Sequence, residues 1–128
     1  MTCTEALFRF WNGFGIAAYE KNVVPERGDG NTPLSFPYLT YEVETDGFGQ
    51  TVSLAVSLWF RSSSWEVAEE KQEEIARYIG RGGVFLPYDG GVIWIRRGSP
   101  FAKRAGDHAD DMVKQIKINV SVEFWTDE

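Results

Sequence analysis

The sequence has few of the residues from which metal centres and disulfides are built. Among its 128 residues are one cysteine, Cys3, and one histidine, His108. A single cysteine excludes an intramolecular disulfide and a multi-cysteine zinc site, and it is typical of a chain that folds in a reducing cytoplasm. No run approaches the ~20 apolar residues of a membrane span, and the N-terminal residues lack the apolar core of a signal peptide. We therefore expect a soluble protein that has no membrane partner.

Positive charge is also scarce. The 13 lysine and arginine residues are outnumbered by 19 aspartate and glutamate residues, so the net charge is −6. This balance opposes attraction to phosphate backbones, and we expect no specific nucleic-acid binding. The length suits a single domain over residues 1–128. The aromatic share of 15% is high, so either the core is rich in rings or some rings cover a surface meant for a partner.

The common catalytic and cofactor motifs are missing from the sequence. It has no Walker sequence, no GxSxG elbow and no HExxH pair. Gly13, Gly15 and Ala18 formally satisfy a dinucleotide fingerprint, but they end a predicted helix, whereas that motif must follow a strand and open a helix. The sequence therefore predicts a protein that is not an enzyme and needs no cofactor.

The segment around His108 is the nearest approach to a metal site. Asp107, Asp110 and Asp111 flank this histidine, and imidazole together with carboxylates can hold a metal ion. A solvated turn accounts for the same residues and no second histidine is present, so we expect no metal. A catalytic dyad, with Cys3 as the nucleophile and His108 as the general base, is a weaker hypothesis still, because nothing in the sequence lowers the pKa of the thiol.

Two segments have the pattern of capped amphipathic helices. Thr2 with Glu5, and Ser63 with Glu66, have capping-box spacing, and apolar residues recur with helical period after each pair. Glycines follow both segments and end the predicted helices. The first predicted helix covers residues 3–14, and the second starts after Ser63 and ends near Ile79.

Alternating apolar and polar residues predict the strands. Long loops are predicted over residues 22–37 and 98–111, and Asp89-Gly90-Gly91 is a hairpin turn signal. The predicted strands cover residues 38–45 and 50–61, the short apolar runs on either side of the hairpin turn, and residues 116–124. The pattern predicts an α+β fold in the order αββαβββ, with a mostly antiparallel sheet of about five strands and two helices packed on one face.

Charge is distributed unevenly along the chain. Five glutamates lie on the second predicted helix, and four basic residues cluster further on: Arg96, Arg97, Lys103 and Arg104. The glutamates are typical of a solvated helix face. Alternatively, acidic and basic patches could pair between identical copies, and such a head-to-tail contact favours a ring. Strand alternation places Arg96 and Arg97 on opposite faces, so we expect at least one of them to leave the sheet.

Position in the predicted elements sorts the aromatic residues. Phe8, Trp11, Phe60 and Phe124 fit the core. Four others lie at edges, faces or loops, where core packing and interface contact are equally compatible with the pattern. These are Trp59, Trp65, Phe101 and Trp125.

Four segments resemble those of a known family. They are GGVFLPYDGGVIWIRRGSPF at residues 82–101, PYLTYEV at 37–43, LWFRSSSWEVAEE at 58–70 and KINVSVEFW at 117–125. Together they resemble the tail-terminator family, also called the tail-completion or minor capsid group, of long-tailed phages and prophages. The resemblance covers most of the chain. Its motifs are packing and turn patterns.

The resemblance implies a virion structural protein assembled in the bacterial host cytoplasm. Such a subunit forms a hexameric ring on the head-proximal end of the tail tube, stops tube growth and joins the tail to the head connector or stopper protein. Its expected partners are further copies of itself, the tube protein and the connector. By position, the interface candidates are Trp59, Arg61, Trp65, Arg96, Arg97, Ser99, Pro100 and Phe101. The alternatives are another phage neck or minor capsid protein, or a non-phage α+β module that binds a ligand or nucleic acid.

Overall fold

Two helices and a six-stranded sheet form the described part of the protein, which has an α+β fold. The computed structural model describes residues 1–20, 36–42, 51–105 and 111–126. The elements are α1 (Cys3–Asn12), β1 (Ala17–Glu20), β2 (Tyr38–Tyr41), β3 (Thr51–Arg61), α2 (Glu66–Ile79), β4 (Val84–Tyr88), β5 (Gly91–Ala105) and β6 (Val113–Thr126). The predicted order αββαβββ therefore lacks one strand, β1.

The sheet is mixed, with strand order β1-β2-β3-β6-β5-β4. Every neighbouring pair is antiparallel except β1 with β2, which is parallel. The prediction of a mostly antiparallel sheet is thus confirmed. The parallel pairing of β1 with β2 at one edge was not predicted. Helix α1 contacts both β1 and β4, the two edge strands, so the sheet curls around this helix.

The two helices begin in different ways. The capping box of α1 is confirmed, because the Thr2 hydroxyl accepts a hydrogen bond from the Glu5 amide at 3.1 Å. Helix α1 ends at Asn12, earlier than predicted, and the next amide already bonds back in a tighter turn. The capping box predicted for α2 is wrong: its N-cap is Trp65, which makes no side-chain cap. The nearby hydroxyl of Ser64 accepts from the Glu66 amide at 3.3 Å instead.

Strand β5 corrects the predicted loop over residues 98–111, because the strand continues to Ala105. Its pairing with β6 shifts register between Arg97 and Ala102. Within this irregularity the Asn119 side chain donates to the Pro100 carbonyl at 3.2 Å. At a bulge, apolar and polar residues need not alternate along the strand. Because that alternation is the sequence signal for a strand, this part of β5 was predicted as a loop. Strand β6 likewise extends beyond the predicted residues 116–124 at both ends.

Arg96 and Arg97 both stay in the sheet, so the expectation that one of them leaves it is wrong. Arg96 pairs with Ser121 and Arg97 with Val120. The register shift of β5 against β6 comes immediately after Arg97.

One buried cluster joins both helices to one face of the sheet. Leu58, Ile116 and Ile93 come from three different strands and are each 0% exposed. Trp11, Phe60 and Phe124 are buried as predicted. Phe8 is not, at 43% exposed, because it lies one residue, or about 100°, round α1 from the buried Leu7.

No helix in the described ranges combines the length and apolarity needed to cross a membrane.

Candidate functional site

The interface residues predicted from the sequence do not form one patch. Trp59 lies within β3, and Arg61 is its last residue. Trp65 precedes α2, and the remaining five belong to β5: Arg96, Arg97, Ser99, Pro100 and Phe101. Ser99 and Pro100 are exposed in the register shift, whereas Phe101 is half-buried against the core.

Near the start of α2, a glutamate of this helix meets a basic residue of β5 within one chain. Arg104 donates from Nε to the Glu69 carboxylate at 2.9 Å. The same guanidinium lies 4.7 Å from the centre of the Trp65 ring, and the Lys114 ammonium lies 5.7 Å from it. Part of the charge complementarity seen in the sequence is therefore satisfied within the subunit. The Trp65 ring packs against both of these cationic groups.

Three rings form an exposed patch on the sheet face opposite the helices, and we call Phe85, Trp94 and Trp125 the aromatic patch. The Phe85 and Trp94 rings stack with centroids 5.4 Å apart, and Trp94 meets Trp125 at 5.8 Å. Phe85 is 52% exposed and Trp125 is 42% exposed. Arg96 covers Trp94 with its guanidinium 4.0 Å from the ring centre.

The sequence pattern indicated Trp125 and the neighbouring Arg96 as interface candidates, but it missed Phe85 and Trp94. The sequence signal that could have located these two rings is the tight turn between β4 and β5, because the turn sets the register of the two strands. Tyr88 pairs with Gly91, and this register places Phe85 directly opposite Trp94. Cross-strand aromatic pairs of this kind stabilise a hairpin by about 0.2–1 kcal/mol.

A second aromatic site lies on the same face at the other end of the sheet. Trp59 stacks on Tyr38 with ring centroids 6.0 Å apart, and its indole nitrogen donates to the Thr40 hydroxyl at 3.0 Å. These side chains line a shallow hollow of about 380 Å³ that also includes Lys117. Lys117 lies directly opposite Lys103 in the β5–β6 register.

A groove of about 600 Å³ is lined by residues of α1, β4 and the end of α2. We call it the basic groove because Arg9 and Arg77 outnumber its one glutamate, Glu74, which is paired with Lys71 at 2.9 Å. Its walls are apolar and aromatic, and Tyr78 projects from them at 63% exposure. The apolar lining consists of Met1, Ala6, Phe10, Phe14, Tyr78, Leu86 and Pro87.

A smaller hollow of about 280 Å³ lies on the other side of α1, beside β1. We call this surface the acidic flank, because Glu5 and Glu20 are the charged residues that line it. Phe8 is its projecting apolar side chain. Burial, and then the nearby Glu20 carboxylate, raise the pKa of Tyr41 at the base of this hollow. The remaining lining residues are Thr4, Ala18 and Tyr19.

The described residues offer little for covalent or metal chemistry. Burial raises the pKa of the Cys3 thiol, which leaves it mostly protonated and a poor nucleophile at neutral pH. His108, Asp107 and Asp110 lie outside the described residues. Within the described ranges, no group of three or more His, Cys, Asp or Glu side chains is placed to hold a metal ion.

Comparison with known proteins adds no family to these observations. No protein-family model matches the chain, and no curated protein is significantly similar to it. The function must therefore be argued from the resemblance of the four segments and from the surfaces described above.

Proposed function

We propose that this protein is a virion structural subunit. It forms a ring at the head-proximal end of a phage tail tube, ends tube polymerisation and joins the tail to the head connector. The observation that carries the proposal is the arrangement of the four resembling segments in the fold.

Those four segments are neighbours in space. Residues 37–43 contain β2, 58–70 contain the end of β3 and the start of α2, 117–125 lie in β6, and 82–101 contain β4 and most of β5. In the order β2-β3-β6-β5-β4 these strands are adjacent without a gap. Short similar sequence segments that pack against one another are subject to the same structural constraint. Their adjacency therefore supports a fold and a role in common with the tail-terminator family.

The aromatic patch is the surface we assign to the tube. It lies on the face of the sheet that the helices leave uncovered, and two of its three rings are substantially exposed. Aromatic and arginine side chains supply much of the binding energy at protein interfaces. Arg96 stacks on Trp94 and lies 3.9 Å from the Glu123 carboxylate, so an arginine lies at the edge of the patch as well.

The proposal is tested by tube assembly. In this test a phage tail tube protein polymerises in the presence or absence of the purified protein, and electron microscopy records tube length and the density at tube ends. We expect shorter tubes that carry a ring at one end. Tubes of unchanged length with bare ends would refute the proposal.

A matched pair of variants separates the aromatic patch from general surface effects. Trp125→Glu should abolish ring density at tube ends, because a charge replaces an exposed ring in the patch. Val67→Glu is the control: Val67 is 52% exposed on α2, away from the patch, and its substitution should leave capping unchanged. Equal capping by the two variants would show that another surface meets the tube.

One observation favours the alternative of a nucleic-acid-binding module. Lys103 and Lys117 are exposed and directly opposite each other on β5 and β6, and like charges in this position are unfavourable unless an anion lies between them. Trp59 lines the same hollow as Lys117 and could stack on a base. The same preparation should then bind single-stranded DNA, with an affinity that falls steeply between about 50 and 200 mM salt.

A further inference from the structure

We propose that neighbouring copies of this chain join by a head-to-tail contact in which the acidic flank of one copy docks into the basic groove of the next. The contact rests on the proposed function for its closure into a ring, but the two surfaces are defined by this chain alone.

The two surfaces lie on different flanks of the same helix. Glu5 and Phe8 of α1 line the acidic flank, whereas Arg9 and Phe10 line the basic groove. At about 100° per residue, Phe8 and Phe10 lie about 160° apart around α1, whereas Glu5 and Arg9 lie only about 40° apart, at the boundary between the two surfaces. Each side also borders one edge strand of the sheet, because α1 contacts β1 on one side and β4 on the other. A contact between the two surfaces is heterologous, so it uses each surface once per subunit.

The charges of the two surfaces are complementary. Arg9 makes no ion pair within the described ranges, and the Arg77 pair with Glu73 is long, at 3.9 Å, and exposed. On the acidic flank, Glu5 bonds only to Thr2 at the start of α1, and Glu20 has no cationic partner in the described part of the chain. Opposite charges that are left uncompensated on two surfaces favour their association and fix its direction.

The apolar shapes of the two surfaces also suit each other. Phe8 projects from the acidic flank at 43% exposure, and the basic groove is the larger hollow, at about 600 Å³. Tyr78 lines that groove and packs against Phe10 and Phe14, yet it remains 63% exposed, and the acidic flank has a hollow of about 280 Å³. Each surface thus offers one exposed ring and one space for a ring. A buried aromatic side chain ringed by charge pairs is a common form of interface hot spot.

A second copy is the occupant that these observations select, because the chain itself carries both halves of the contact. Strands β1 and β4 each pair with one neighbour in the described sheet, so each surface lies beside an edge strand of that sheet. Two acidic flanks or two basic grooves would repel each other. The contact therefore has one polarity, and repetition of a heterologous contact gives a ring or a filament.

A charge-swap experiment tests this contact directly. Sedimentation velocity and native mass spectrometry measure the self-association of the wild type, Arg77→Glu, Glu20→Lys and the double variant. The protein concentration is raised to about 1 mM, so that even a weak contact with a Kd of that size is populated. Each single variant should weaken association about tenfold, because it places like charges in the contact. The double variant should return to within about threefold of the wild type, because the pair is restored with reversed polarity.

An apolar control accompanies the charge swap. Tyr78→Ala should weaken association, whereas Val67→Ala, which removes a comparably exposed side chain from another part of α2, should not. Additive losses in the double variant, or equal effects of the two alanine variants, would overturn the proposed contact. So would a wild type that is monomeric at every concentration and also at tube ends.

The outcomes separate this contact from the proposed function. Rings at tube ends that are insensitive to Arg77→Glu and Glu20→Lys would overturn the contact and leave the tail-terminator role standing. Self-association that is lost and restored as expected, by a protein that leaves tube length unchanged, would support the contact and refute the role.

Discussion

At the scale of single residues, close backbone approach decides which glycines are essential. A Cβ added at Gly91 would clash with the carbonyl oxygen of Trp125, which is backbone and cannot move aside cheaply. Gly91 opens β5 beside the end of β6, where the two strands pair. Gly82, in contrast, has nothing within 4 Å of the same position. The two glycines look alike in the sequence but meet different surroundings.

We therefore expect Gly91→Ala to destabilise the protein by about 1–3 kcal/mol, the usual cost of overpacking. Gly82→Ala should change the free energy of unfolding by less than about 0.5 kcal/mol, as at other open surface positions. Urea unfolding followed by tryptophan fluorescence measures both. Equal stability of the two variants would show that the β5–β6 end relaxes without cost.

At the scale of elements, one lysine ties the two helices together. The Lys71 ammonium on α2 donates to the carbonyl of Phe14, just after α1, at 2.6 Å, and to Glu74 at 2.9 Å. The side chain is only 19% exposed. A charged donor to a partly buried carbonyl contributes more than an exposed ion pair, because loss of the donor leaves that carbonyl poorly solvated.

Lys71→Met keeps the aliphatic part of the side chain and removes the donor, so we expect a loss of about 1–2 kcal/mol in the free energy of unfolding. The comparison is Arg77→Met, which breaks an exposed pair with Glu73 and should cost less than about 0.5 kcal/mol. Thermal and urea unfolding at low protein concentration avoid any contribution from self-association. A smaller effect at Lys71 than at Arg77 would contradict this account of the helix contact.

Elements with regular patterns were predictable from the sequence, and irregular ones were not. Strand β3 alternates over its whole length and was predicted within one residue of its start. Strand β1 has only four residues, too few for a period to show. It is held by pairing with β2 and by the Asn12 side chain, which accepts from the Ala18 amide at 3.2 Å. These contacts depend on the fold, so no local pattern could predict the strand.

At the scale of the whole molecule, the sheet has a firm centre and weak edges. Strands β3 and β6 pair along eleven residues, from Thr51–Glu123 to Arg61–Val113. Each also has a second neighbour, and their inward side chains form the middle of the buried cluster. The edge strand β1 has four paired residues and one neighbour. We therefore expect local stability to fall from β6 towards β1.

Amide hydrogen exchange should follow this gradient. We expect protected amides in β3 and β6 to exchange at least ~10-fold more slowly than those of β1, a difference of ~1.4 kcal/mol in opening free energy. Exchange read by mass spectrometry or NMR, at a concentration where the protein is monomeric, gives the comparison. Protection of β1 equal to that of β6 would show that the edge opens only with the whole domain.

The sequence by itself determined the features that depend on residues close together in the chain. These are the α+β class, the cap of α1, the alternation of β3 and β6, and the turn between β4 and β5. Each follows from a local period or from the chemistry of a few neighbouring residues.

Only the tertiary structure decided where the surfaces lie. The aromatic patch needs β6 to bring Trp125 beside Phe85, and the basic groove needs the end of α2 to face α1 and β4. The sequence is compatible with a solvated Glu69 or with pairing of Glu69 and Arg104 between copies, yet these two residues pair within one subunit. The reason is physical: side chains distant in the chain meet only through packing, and packing depends on all the elements at once.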